Sequence, residues 1–233
     1  MSEPLWLLAP LPGELERVPR PASQEPLTLP SPGLAWRWAE GGIAFSGVGR
    51  RATRGALEAL AAAGARRVLH LGCAGGLRAE LRPGDAFWIT GANHEDQRLE
   101  GPGEDALRER LSLPAAECVT VRQVAGDPAA KQALAERFPA AAVVEMETYW
   151  AIEAAAELGL TLSCLRVVVD RRDEPLPDLS SALDSLGRPK PLRMAWKIVS
   201  SPRTAMKLPG VAKAFGAAQD RLAALARLAL AEE

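Results

Sequence analysis

Strand-length apolar runs alternate with helix-length segments along this 233-residue sequence. That alternation predicts an α/β protein, a three-layer α/β/α sandwich around one central mixed sheet. Two observations carry the reading. Apolar runs bounded by Gly and Pro recur at Leu5–Ala9, 67–71, 141–144 and 160–169. Between them stand Ala- and Leu-rich stretches of helical length at 52–63, 128–137 and 146–158. No internal repeat or long linker interrupts the series, so residues 1–233 read as a single domain, with a basic helical extension over 178–233.

Each element has its own signal. Leu5–Ala9 is closed by Pro-Leu-Pro-Gly and reads as a first or edge strand, and residues 14–18 as a helix start. Pro and Ser over 19–32 predict a loop. Residues 34–39 and 42–46, parted by Glu40-Gly41, form a hairpin pattern. Helix 52–63 ends at Gly64. Strand 67–71 runs into Gly72-Cys73-Ala74-Gly75-Gly76, and strand 85–90 follows the Arg82-Pro83-Gly84 turn. The polar stretch 91–117 reads as a mobile loop over a site. A strand at 118–124, the helix 128–137, a strand at 141–144, the helix 146–158 and the strand 160–169 follow, and a last helix covers 217–230.

Composition narrows the function classes. Hydrophobic residues make up 48% and charged residues 24%, enough for a sizeable core. A net charge of -1 does not fit a protein that tracks nucleic-acid phosphates. Cys73, Cys118 and Cys164 are widely spaced, and His70 and His94 are the sole histidines, so neither a disulfide framework nor a metal site is indicated. No apolar run reaches the roughly 18 residues of a membrane span. The opening Met1-Ser-Glu-Pro lacks a basic leader region. The expectation is a cytoplasmic protein.

Chemistry concentrates at the ends of three apolar strands, where α/β proteins bind ligands. In Gly72-Cys73-Ala74-Gly75-Gly76, glycines allow close backbone approach and expose amide donors. In Val144-Glu145-Met146-Glu147, a carboxylate at a strand–helix junction can accept two sugar hydroxyls while Met146 offers an adaptable apolar face. In Arg166-Val-Val-Val-Asp170, an aspartate ends a very apolar strand, where desolvation favours the protonated form. Taken singly, each has an ordinary explanation: a tight turn, a first helical turn complemented by acidic residues, and a helix cap or ion pair with Arg171 or Arg172.

Together and in this order, the segments resemble the nucleoside phosphorylase superfamily, particularly its methylthioadenosine/S-adenosylhomocysteine nucleosidase-like branch. The resemblance also takes in Glu14 after the opening strand, Gly47-Val48-Gly49 and Arg82-Pro83-Gly84-Asp85. It implies cleavage of the bond between a purine, adenine above all, and ribose. Asp170 then matches the general acid that protonates purine N7, and Glu14 the residue that orients and deprotonates water. Glu147 matches the ribose-hydroxyl ligand with Met146 packed on the sugar and Glu145 beside them. Cys73, Ala74 and Gly75 would line the pocket near the anomeric carbon. Where phosphorylases often carry a phosphate-binding arginine, three residues before Cys73, this sequence has His70. That exchange favours hydrolysis over phosphorolysis, with phosphate left as a co-substrate only if Arg17, Arg50 or Arg51 compensates. Val169 replaces a serine before the acid, and the segment after Gly126-Asp127 is shortened, which implies a more open base pocket. No cofactor is implied.

Beyond Asp170, the run Arg171-Arg172-Asp173-Glu174-Pro175-Leu176-Pro177 and Leu186-Gly187-Arg188-Pro189 look like the hopanoid-associated phosphorylase subfamily, linked to removing adenine from the lipid nucleoside adenosylhopane. Arg188, Lys190, Arg193, Lys197, Arg203, Lys207 and Lys213 interleave with Trp196, Ile198, Met206 and Leu208 and no acid. Such a surface fits either a solvated helical hairpin or peripheral contact with the inner membrane. A homodimer is the expectation by analogy. The alternatives are a small-nucleoside hydrolase of the methylthioadenosine or futalosine type, and a nucleoside-binding protein without catalysis.

Overall fold

Leu5, Leu7 and Ala9 of the first strand face one apolar cluster and Trp6 and Leu8 another, as the two-residue period of a strand requires when both faces are covered. The structure, a computed structural model, describes residues 3–101, 103–176, 184, 186, 190 and 202–231. Its strands are β1 (Leu5–Ala9), β2 (Glu25–Leu27), β3 (Leu34–Trp38), β4 (Gly41–Phe45), β5 (Arg67–Gly76), β6 (Ala86–His94), β7 (Gln97–Glu100), β8 (Ala115–Thr120), β9 (Ala141–Glu145) and β10 (Thr161–Asp170). Its helices are α1 (Arg50–Ala62), α2 (Asp105–Leu111), α3 (Pro128–Arg137), α4 (Thr148–Leu158) and α5 (Pro202–Leu230).

These build the expected three layers on one mixed sheet. On one face, Ala56, Leu57 and Leu60 of α1 and Tyr149 to Ala155 of α4 pack against Trp6, Leu8 and Val68. On the other, Leu107 and Leu111 of α2 and Ala218, Leu222, Leu225 and Ala226 of α5 cover Leu5, Leu7, Leu69 and Leu71. Each fully buried leucine contributes roughly 1.5–3 kcal/mol. Strand order is β10-β6-β8-β9-β5-β1-β4-β3-β2, with β10 also paired along β5 from Thr161↔Arg67 to Asp170↔Gly75. The path β5-β10-β6-β8-β9 therefore closes on itself, and its last pairing is Gly75↔Val144 and Gly76↔Val143. That closure brings the ends of β5, β9 and β10 together.

Local signals explain most boundaries. Asp127 caps α3, its Oδ1 accepting from Ala129 N at 3.3 Å, and Pro128 opens the first turn. Gly159, at φ 66°, ends α4. Three expectations are corrected. Residues 91–117 are not a loop: β6 continues to His94, and β7, α2 and the first half of β8 follow. Several of the polar groups that disguised them are paired internally. Asn93 Nδ2 donates to Glu117 Oε2 at 2.9 Å, and His94 Nδ1 lies 2.8 Å from Thr120 O. The strand expected at 118–124 lies instead at Ala115–Thr120. The glycine run is not a turn either, since it completes β5. Residues 14–18 and the 19–32 loop hold small surprises, a 3-10 turn at Pro12–Leu15 and the short β2.

The last helix is longer than expected, Pro202–Leu230 with Pro209 inside it. It braces the turn that carries Glu14: Gln219 Nε2 donates to Gly13 O, Arg17 pairs with Asp220, and Arg227 Nη2 donates to Arg17 O at 3.1 Å. Part of the basic extension read as a membrane-facing surface (Arg188, Arg193, Trp196, Lys197 and Ile198) lies outside the described residues. Among the described residues no helix is long and apolar enough to cross a membrane.

Candidate active site

A cavity of about 450 Å³ opens where β1, β5, β9 and β10 end. Its wall includes Glu14, Cys73, Ala74, Gly75, Glu145, Met146, Glu147 and Asp170, so eight of the nine expected site residues border one space. His70 does not. It is fully buried within β5, with its ring nitrogens 3.2 and 3.4 Å from Arg166 Nη2. Burial and the Arg166 charge hold its imidazole well below the ordinary histidine range, and hence neutral. The expectation that His70 contacts an anion or substrate is corrected: it packs against a guanidinium beneath the floor.

The floor itself explains the glycines. A Cβ on Gly72 would stand 2.9 Å from Glu14 Oε1 and 3.2 Å from Pro10 Cδ, and one on Gly75 would stand 3.3 Å from Asp170 Oδ1 and 3.4 Å from Lys131 Cε. Each glycine leaves a seat for one acid. Glu14 is fixed in its seat by two backbone donors, Cys73 N to Oε1 at 2.6 Å and Leu11 N to Oε2 at 2.8 Å. Burial nevertheless pushes its pKa up, with those bonds and Arg166 opposing. A raised carboxyl is moved toward the range in which a general base works at neutral pH. Burial also raises the Cys73 thiol, helped by the Glu14 charge, so Cys73 lines the wall as an un-ionised thiol.

Glu145 and Glu147 divide their duties. Glu145 borders the cavity, but protein donors occupy its carboxylate. Arg166 Nη2 and Nε donate to Oε2 at 2.9 and 3.2 Å, as do Thr148 Oγ1 at 2.7 Å, Thr148 N at 2.8 Å and Glu147 N at 3.0 Å, while Thr120 Oγ1 donates to Oε1. Its expected place among the substrate ligands is corrected to that of a strut. Glu147 is what the strut supports. Its Oε1 accepts from Gly49 N at 3.0 Å, and burial, then the nearby Glu145 charge, pushes its pKa up to about 8.

Asp170 ends β10, nearly fully buried. The structure gives it a partner the sequence reading missed. Lys131, reaching down from α3 and wholly buried, forms an ion pair with Asp170 Oδ2 and donates to Arg171 O at 2.8 Å. Burial lowers the Lys131 pKa to about 8, with Glu174 and Asp173 opposing. One signal was available: Lys131 is the first lysine of an arginine-rich chain, and the next is Lys190. A buried lysine titrates readily and a buried arginine does not. Arg166, Thr120 and Thr148 were also missed as site-building residues.

The charged side chains bordering the cavity, among the described residues, are all acids: Glu14, Glu145, Glu147, Asp170 and Asp184. Arg17 is paired with Asp220, and Arg50 lies over Trp150 and pairs with Glu153, so neither supplies the cation missing at position 70. The remaining wall is apolar: Leu11, Val48, Val121, Val124, Val169 and Leu176.

No protein-family profile and no curated protein matches the sequence. The architecture is that of the purine nucleosidases among solved structures. A mutant 5′-methylthioadenosine/S-adenosylhomocysteine nucleosidase of Helicobacter pylori, with 5′-methylthioadenosine in its active site, matches with a TM-score of 0.71 at 15% identity over 97% of this chain and 99% of that one. Futalosine hydrolase of Helicobacter pylori matches at 0.69 and 16% identity, covering 97% of each chain. The nucleosidase of Neisseria meningitidis, in complex with methylthio-immucillin-A, gives 0.68 and 16% over 97% of this chain and all of that one. At such identities the likeness defines the fold.

Two outcomes are expected. Glu145→Ala strands Arg166 as an unpaired buried charge and should cost about 3–5 kcal/mol in a denaturant titration; a loss below about 1 kcal/mol would contradict the strut role. The raised pKa of Glu147 means that the folded state holds a proton there which the unfolded chain releases above the ordinary glutamate range. Its contribution to stability is full at low pH and is lost as pH rises through about 8. Glu147→Gln should therefore gain stability relative to wild type between pH 5 and 8, and a pH-independent difference would contradict it.

Proposed function

We propose that the protein is a purine nucleosidase that hydrolyses the N-glycosidic bond of an adenine nucleoside. One observation carries the reading: Glu14, Glu147 and Asp170 converge on one cavity from three separate strand ends. Solved structures of the same fold contain adenine in one case and 5′-methylthioadenosine in another. In this chain, Asp170 delivers a proton to purine N7 as the bond breaks, a contribution of about 10²–10⁴-fold for a positioned acid. Glu147 receives the ribose hydroxyls, with Met146 against the sugar. Glu14, held by two backbone donors, orients a water and takes its proton.

A cavity wall that carries no lysine, arginine or histidine among the described residues supports water rather than phosphate as the nucleophile, because a phosphate dianion would find no cation there to hold it. The open apolar wall, in which Val124 is 69% exposed, supports a substrate whose 5′ substituent is bulky and apolar. Adenosylhopane is a nucleoside of that kind, and methylthioadenosine carries the smallest comparable group.

The test is incubation with adenosine, methylthioadenosine and an adenosyl-lipid, with and without phosphate, following free adenine and ribose 1-phosphate. Adenine without ribose 1-phosphate, independent of added phosphate, is expected, with the larger 5′ groups preferred. Asp170→Asn should lower turnover by at least about 10²-fold while the fold is kept. Full activity in that variant, or ribose 1-phosphate as the product, would overturn the assignment.

A further inference from the structure

The general acid in this site is not a lone carboxyl. Lys131 Nζ sits on Asp170 Oδ2, its stem passes over Gly75, and its remaining bond goes to Arg171 O. Both side chains are almost fully buried. Gly75 has no side chain to fill the seat that the pair occupies, and Val144, the other neighbour of that seat, carries no charge. Lys131 is not in the cavity wall, so it reaches the substrate only through Asp170.

We propose that Lys131 is the positioning residue that loads Asp170 with the proton it delivers, so that the acid is a lysine–aspartate pair. This rests on the nucleosidase reading above. In the empty site the pair is ammonium and carboxylate. When the ribose–purine bond breaks, its electron pair passes to the purine. Nζ gives a proton to Oδ2 as N7 takes one from the Asp170 carboxyl so formed, and a neutral amine is left facing a carboxylate. Water forms the new bond to the anomeric carbon and gives its proton to Glu14. That proton matches the one Lys131 has lost, and solvent exchange restores both residues. A lysine whose burial has already brought it down to about 8 can make this transfer at neutral pH, where an arginine could not. Besides Asp170, Glu174 and Asp173, which follow β10, are the acidic groups that face Lys131, and both favour its charged form.

The test has two parts. Amine-nitrogen NMR of the whole protein is interpretable because the chain has only Lys131, Lys190, Lys197, Lys207 and Lys213. One lysine, absent from the Lys131→Gln spectrum, should titrate near 8, and Asp170→Asn should move it lower. Titration of Lys131 in the ordinary range near ~10.4 overturns the proposal whatever the enzyme does. In the activity arm, Lys131→Gln should lower kcat at least about tenfold with KM little changed, and move the alkaline limb of the pH profile toward acid. Lys131→Arg, which keeps a charge but cannot give up a proton, should not restore kcat. An unchanged limb in Lys131→Gln, or full rescue by arginine, overturns the proposal. A wild-type protein that releases no purine would instead count against the nucleosidase reading, and the NMR result would still decide the lysine–aspartate pair.

Discussion

A buried guanidinium gripping a buried carboxylate organises this site. Arg166 on β10 and Glu145 on β9 are both out of solvent, and the cost of desolvating them is met by their mutual bonds and those with Thr120, Thr148 and the His70 carbonyl. The contact fastens β10 to β9 across the closed part of the sheet. It also sets the β9–α4 junction, because the Glu145 carboxylate accepts the amides of Glu147 and Thr148, two donors that α4 cannot satisfy within itself. The Glu147 side chain is thereby left to face the cavity. Without the pair, three strand ends would still meet, but the Glu147 and Thr148 amides would lose their acceptor, leaving the Gly49 amide to hold the Glu147 carboxyl.

The second constraint is space. Acids of this size fit against a β-sheet floor only where the floor lacks side chains, and β5 supplies gaps at Gly72 and Gly75, under Glu14 and Asp170 respectively. The chain is extended there, so these glycines serve by what they omit rather than by unusual backbone angles. The α5 helix completes the frame from outside by holding the turn that carries Glu14.

Much of this was legible in the sequence because strand-end chemistry is local. Met146, Glu147 and Asp170 stand just past the ends of apolar runs, Glu14 follows one after Pro10-Leu11-Pro12-Gly13, and the runs alternate with helices in a way that few folds permit. What stayed hidden depends on tertiary pairing. A strand such as β6, ending in Gly91, Asn93 and His94, looks like a loop until its polar groups find partners on β8. Glu145 and Glu147 look equivalent two residues apart, and only the arrival of Arg166 from another strand distinguishes the carboxylate filled by protein donors from the one left to the cavity. His70 was misread for the same reason, since nothing local indicates that its side chain packs against Arg166 rather than facing the cavity. Lys131 sits thirty-nine residues from the aspartate it meets, and no periodicity announces such a contact.

The most direct measurement is a crystal structure of the Asp170→Asn protein soaked with an adenine nucleoside. The account requires the purine N7 edge within hydrogen-bond reach of residue 170, the ribose hydroxyls on Glu147, and a water between Glu14 and the anomeric carbon. A nucleoside bound elsewhere, or one whose sugar lies away from Glu147 with its base turned from residue 170, would contradict it.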